Sequence, residues 1–175
     1  MSFVRMPGRL WIVVVGALLL SAMIPAQAGW KEGTVLPDLA KFGLEGKLPA
    51  DLAGKVLLVD FCAAWCGPCK TSFPALDDLN KRLGPRGLVV LAVSVDENAA
   101  ALQKFLKEHP VSFPVVRDAA QKLVQAADVQ AMPSSFLVDA KGKIRFAHTG
   151  FHGSKTAEEY AAEIETLLKE REAKP

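Results

Sequence analysis

An apolar run that ends in a cysteine cluster constrains this chain more than any other feature. Residues 55–62 read KVLLVDFC, a run of strand length with the continuous hydrophobicity of a strand covered on both faces. It passes through AAWCGPC (63–69), and residues 70–83 then place Phe73, Leu76, Leu79 and Leu83 at helical spacing. A strand that enters a helix through Cys-x-x-Cys puts Cys66 at the helix N-terminus. There the unpaired backbone N–H groups and the helix dipole favour an anion. A thiolate is such an anion, so the Cys66 pKa is expected to fall. Gly67 and Pro68 suit the tight first turn, where proline loses nothing by lacking an N–H. Cys69, one turn further in, is expected to be more buried and less acidic. The first sulfur would attack and the second resolve.

Three readings of the cysteines compete. A tetrahedral zinc site takes about four ligands, whereas the chain has three cysteines and three histidines (His109, His148, His152) outside any zinc-finger frame. A structural Cys66–Cys69 bridge would close too small a loop to restrain the unfolded chain much. A working redox pair fits the strand–motif–helix arrangement. Cys62, two positions after Asp60 on the same strand, points to the same face and reads as a small buried hydrophobe.

The compartment decides what such thiols do. Arg5 and Arg9 precede an apolar stretch from Leu10 to Ile24, and Ala26 and Ala28 supply a small-residue exit. This is the pattern of a secretory signal over residues 1–28, cleaved after Ala28. The stretch is shorter than the ~20 apolar residues of a full span; the alternative is an uncleaved inner-membrane anchor. Loss of the signal removes two of the 21 basic residues and none of the 19 acidic ones, leaving a near-neutral domain over 29–175. No basic stripe remains to neutralise phosphates, which excludes nucleic acid as a partner. A domain of this length can bury a core without disulfide staples.

The remaining pattern alternates. Residues 29–54 are punctuated by Gly and Pro and read as an irregular lead-in with one hairpin. Strands are expected at 88–96, 112–118 and, as a hairpin about a Lys-Gly-Lys turn, within 134–150. Helices are expected at 70–83, kinked at Pro74, at 97–110 with Ala101, Leu102, Phe105 and Leu106 on one side, at 119–129, and at 155–171 with Tyr160, Ile164, Leu167 and Leu168 facing inward. The order β-α-β-α-β-α-β-β-α implies parallel crossovers with an antiparallel edge.

At the level of motifs, VDFCAAWCGPCK resembles the active-site segment of thioredoxins, with the Trp-Cys-Gly-Pro-Cys-Lys core standing as Trp65 to Lys70. Asp60 resembles their buried aspartate and Pro74 their helix-kinking proline. MPSSFLVD resembles the segment bearing the cis-proline, which would make Met132–Pro133 cis. HTGF resembles the loop whose glycine, here Gly150, lies beside the active site. The matches cover most of residues 50–171 in the right order. The unit NAAALQKFLKEHPVSFPVV and the exported N-terminus resemble the TlpA/ResA-like branch. The resemblance implies an α/β thioredoxin-like fold: a central mixed sheet flanked by helices, with an inserted helix–strand unit and an N-terminal extension.

It also implies a periplasmic protein thiol–disulfide oxidoreductase, expected to be monomeric and to need no cofactor or bound metal. Cys66, Cys69, Asp60 and Pro133 would be catalytic; Trp65, Met132 and Gly150 would frame the substrate groove. Relatives of this branch reduce exported disulfides in cytochrome c maturation or at copper-site cysteines, and many draw electrons from a membrane partner of the DsbD or CcdA kind. Gly-Pro between the cysteines is the dipeptide of reducing thioredoxins. An oxidant or isomerase, and a copper-handling dithiol module, are the competing functions.

Two departures from the family bear on mechanism. Ser72 stands where many TlpA/ResA-like proteins carry Glu, and Ala92 falls where thioredoxins place a buried lysine. Asp60 would then lack a cationic partner, and burial without one raises a carboxyl pKa. It is expected to be protonated near neutral pH and to exchange a proton with Cys69; the competing reading is a satisfied strand-end carboxylate. His148 and His152 read as surface residues, and Lys70 either as a cation that favours a nearby thiolate or as a solvated helix residue.

Overall fold

The computed structural model describes residues 29–173; the expected signal over residues 1–28 lies outside them. Five strands form one mixed sheet in the order β3-β2-β1-β4-β5. The central strand β1 (Val56–Cys62) is buried at all seven positions, as its unbroken apolar run requires. It pairs in parallel with β2 (Leu88–Ser94), which pairs in parallel with β3 (Val115–Arg117). On its other side β1 pairs antiparallel with β4 (Ser134–Val138), and β4 with β5 (Ile144–Thr149).

The alternation of strands and helices points to parallel crossovers, but the antiparallel part of the sheet includes β4 and not only the outermost strand. Helix α3 (Lys122–Ala127) explains this. Its six residues span about 9 Å, too little to carry the chain back along the sheet, so β4 starts from the end at which β3 stops. The Asp118 carboxylate fixes the turn, accepting from the backbone N–H groups of Lys122 (3.0 Å) and Val124 (2.9 Å). Consequently β4 begins where β1 ends, and the segment before Ser134 meets the segment after Cys62.

Helices α1 (Gly67–Leu83) and α4 (Ser154–Glu172) pack against each other. Phe73, Leu76, Leu79 and Leu83 of α1, and Tyr160, Ile164, Leu167 and Leu168 of α4, are all buried, as their spacing predicts. Helix α1 continues through Pro74 without a break. The inserted unit supplies α2 (Ala99–Glu108) and the edge strand β3; Leu102 and Phe105 are buried, while Ala101 and Leu106 are partly covered.

The lead-in contains no hairpin. It has one 3-10 turn (Leu39–Phe42) and two single bridges, Val35 to Lys143 and Glu45 to Arg117. Glycines and prolines break it too often for a two-stranded ladder, and its pieces instead lie against existing strand edges. Trp30 is its anchor. The indole meets Phe61 and Phe136 edge-on at 5.5 and 5.1 Å, and its backbone N–H donates to Ala127.

Candidate active site

Cys66 is the N-cap of α1, and Pro68 lies in the first turn. The sulfur accepts a hydrogen bond from the backbone N–H of Cys69 at 3.1 Å, so a helix-terminal donor points at the atom that would carry the charge. Cys66 and Cys69 are joined in a disulfide with Cα atoms 5.3 Å apart. Cys69 is 0% exposed and Cys66 4%, the order expected for a resolving and an attacking thiol. Ser72, one turn on, is buried and donates to the Cys69 carbonyl at 3.0 Å. It offers no acid to the pair.

The loop between β1 and the motif is held by a residue that motif reading missed. The buried Asp96 carboxylate accepts from the Ala64 N–H at 2.9 and 3.1 Å, and from Ser94 Oγ at 2.8 Å. The only sequence signal for it is an acid closing an otherwise apolar strand, SVD.

Asp60 is fully buried. Its partner in the β1–β2 register is Ala92, so no cation faces it from β2. Burial raises its pKa from 3.8 to about 7, with a hydrogen bond from Ser135 pulling the other way. Ser135 is its register partner on β4 and donates to Oδ1 at 2.6 Å; Tyr160 of α4 in turn donates to Ser135 Oγ at 2.8 Å. Oδ2 has no hydrogen-bond partner among the described residues. Asp60 thus lies between the sheet and the helix layer that contains Cys69. Cys62 is free and buried; burial pushes its thiol well above the ordinary value, and Asp60 and Asp96 push it further. It remains a protonated hydrophobe at neutral pH.

The other predicted residues gather at the same end of the sheet. The Met132–Pro133 bond is cis. Pro133 is buried, and its carbonyl accepts the Gly150 N–H at 2.7 Å, closing the open end of the β4–β5 hairpin. Gly150 has φ +81°, where a side chain is strained, and a Cβ there would lie 3.4 Å from the His152 ring. Met132 is half-buried against the core, whereas Trp65, beside Cys66, is 72% exposed. Trp65 and exposed Lys70 also border a cleft of about 290 Å³ whose far wall is Lys104 and Phe105 of α2.

His152 is exposed, but His148 is not the free surface residue expected from the sequence. Its ring packs edge-on against Tyr160 at 4.9 Å, and Nε2 lies 2.7 Å from Glu163. The cause is that β5 runs under α4, which no local pattern announces.

A Cys-x-x-Cys disulfide at a helix N-terminus, a fully buried acid of raised pKa on the central strand and a cis-proline before the neighbouring strand define a thiol–disulfide oxidoreductase of thioredoxin-like fold. The chain belongs to the Redoxin family, whose sequence pattern matches residues 28–164. It is 32% identical over 141 residues to the thiol-disulfide oxidoreductase ResA of Bacillus subtilis, covering 79% of each chain. A crystal structure from Chlorobium tepidum, described as a thiol:disulfide interchange protein DsbE, matches at TM-score 0.74 and 33% identity, over 80% of this chain and 99% of that one. A secreted disulfide oxidoreductase of Mycobacterium tuberculosis has the same fold at TM-score 0.59 and 18% identity, over 66% and 84% of the two chains.

Proposed function

We propose that this oxidoreductase works as a reductase of disulfides in exported proteins. The observation that carries the assignment is the Cys66–Cys69 pair at the α1 N-terminus, spaced by Gly67-Pro68. The Cys66 thiolate attacks one sulfur of a substrate disulfide; that bond breaks, the other substrate sulfur leaves as a thiolate, and a mixed disulfide forms. Cys69 then loses its proton and attacks Cys66 Sγ, expelling the second substrate thiolate. Two electrons pass to the substrate, and the enzyme is left with the Cys66–Cys69 disulfide. Asp60, buried and with its pKa raised to about 7, exchanges a proton with Cys69 in this step: its ionised form takes up the Cys69 proton.

Trp65, Met132 and Gly150 frame the groove that receives an extended substrate segment, beside the catalytic Pro133. The chain works as a monomer outside the cytoplasm, delivered by residues 1–28, and a membrane thiol reductant of the DsbD or CcdA kind returns it to the dithiol. Apocytochrome c and copper-site cysteines are the substrate classes that fit. Among the described residues no helix is long and apolar enough to cross a membrane.

The test is the equilibrium potential of the Cys66–Cys69 couple, measured in Cys62→Ala protein against defined dithiol buffers. A value near −270 mV, the thioredoxin end of the range at about that figure, is expected. A value near about −120 mV would mean that the protein installs disulfides, and the reductase direction would be wrong. Trapping on a Cys69→Ser variant then identifies the substrates.

A further inference from the structure

We propose that Ser135 and Tyr160 are positioning residues for the resolving step, their hydroxyls forming a relay that keeps Asp60 Oδ1 an acceptor and confines the exchangeable proton to Oδ2. The inference rests on Asp60 as the internal acid. The relay is wholly inside the protein: Asp60 is 0% exposed, and Ser135 and Tyr160 are each 1% exposed.

The directions of the hydrogen bonds follow from counting protons. An ionised Asp60 can only accept, so Ser135 donates to Oδ1 and can accept only from Tyr160. If the carboxyl took its proton on Oδ1, Oδ1–H would donate to Ser135 Oγ, and one hydroxyl proton would lose its acceptor: that of Ser135, or that of Tyr160 if the serine turns to donate to the phenol. An unmade hydrogen bond in a buried site is costly. A proton on Oδ2 leaves both relay bonds intact and falls on the one atom that already lacks a partner among the described residues, so one group stays unpaired rather than two, and gain and loss of the proton need no rearrangement of β4 or α4. A serine in the middle of a fully buried strand, and a tyrosine hydroxyl aimed at it, otherwise place two polar groups where apolar ones would pack.

The groups around the carboxyl are few. Strand β1 contributes Cys62, which stays protonated, and β2 contributes Ala92. Cys69 of helix α1, which exchanges the proton in the proposed reaction, is bonded to Cys66 in the oxidised protein and does not titrate there. Helix α4 contributes Tyr160, whose phenol burial raises and Ser135 lowers, with Asp60, Glu163 and Glu159 adding to the rise. Strand β5 contributes His148, which lies on the Tyr160 ring and is engaged by Glu163. Ser135 is the hydrogen-bond donor among them that stabilises the charged form of Asp60.

The experiment follows the carbon-13 shift of the Asp60 carboxyl against pH in the full-length oxidised protein, alongside the pH profile of mixed-disulfide resolution. Ser135→Ala removes a donor to the carboxylate and is expected to raise the Asp60 midpoint by about one pH unit. Tyr160→Phe leaves Ser135 donating but unpolarised, and gives a smaller rise. Ser135→Thr restores the hydroxyl and returns the midpoint toward that of the natural protein. The resolution profile moves with the midpoint in each variant, and Ser135→Ala adds no movement in an Asp60→Asn background.

An unmoved midpoint in both Ser135→Ala and Tyr160→Phe overturns the relay, as does a profile shift that persists without the acid. If Ser135→Ala does not fold, Tyr160→Phe decides by the same readout. A resolution profile indifferent to Asp60→Asn would sink the acid itself, and the relay's part in the reaction with it, whatever the carbon-13 midpoint does.

Discussion

Replacing Asp60 with asparagine should make the protein progressively more stable, relative to the unsubstituted chain, as the pH rises. The folded carboxyl holds its proton to about pH 7, whereas its ordinary value is 3.8. Across that window the folded state keeps a proton that the unfolded chain has released. Raising the pH therefore favours unfolding, with the loss building up from about pH 4 and complete above about pH 7. A shift of roughly three units at ~1.36 kcal/mol each amounts to about 4 kcal/mol, a large share of a typical domain's ~5–15 kcal/mol. Asparagine keeps the shape and the Ser135 acceptor but cannot ionise. The assay is urea unfolding of both oxidised proteins at 25 °C between about pH 4 and pH 8.5, with Cys66 and Cys69 bridged and so silent and the free Cys62 common to both proteins. Any fixed cost of the amide cancels in the comparison, because only the change of the difference with pH is used. A difference curve flat across the range would mean that Asp60 ionises at an ordinary pKa, and the argument from burial without a cation would fail.

Further outcomes follow from the same geometry. Cys66→Ser should abolish disulfide reduction, whereas Cys69→Ser should accumulate a mixed disulfide visible by mass under non-reducing conditions. Cys62→Ala should keep turnover within about twofold while lowering stability by about 1 kcal/mol, the scale of a small cavity; a severalfold loss of turnover would give Cys62 a part in the chemistry. Asp96→Ala strips the Ala64 N–H and Ser94 of their acceptor. It should cost about 2 kcal/mol in denaturant unfolding and slow the attack by Cys66, while Asp96→Asn, which retains one acceptor oxygen, should lose less of both.

Most of the framework was legible because the features that specify it are local. The unbroken apolar run predicts a strand covered on both faces, and the helical spacing in α1 and α4 predicts the buried residues of each. The placement of Cys66 followed from the strand, motif and helix being contiguous. What was not legible depends on contacts between distant segments. Trp30 reads as one aromatic in a broken lead-in until Phe61 and Phe136 are seen around it. Ser135 reads as a polar interruption of a strand until Asp60 is found opposite it, and Asp96 as a strand-end acid until Ala64 is. The hairpin expected in the lead-in failed for the converse reason: its short apolar pieces satisfy strands already formed elsewhere.

The bond from Gly150 to the Pro133 carbonyl has a consequence for how such a chain can be altered. It makes residues 133–150 a closed loop of chain, joined at its own base, while both reactive sulfurs lie within four consecutive residues at the start of α1. Pro133 and Gly150 and the reactive sulfurs therefore come from separate stretches of sequence that meet only in space, while Trp65 of the proposed groove stays with the thiols. Exchange of the hairpin between related proteins is then expected to move Pro133, Gly150 and the Ser135 contact to Asp60 as one cassette, leaving the thiols and their helix in place.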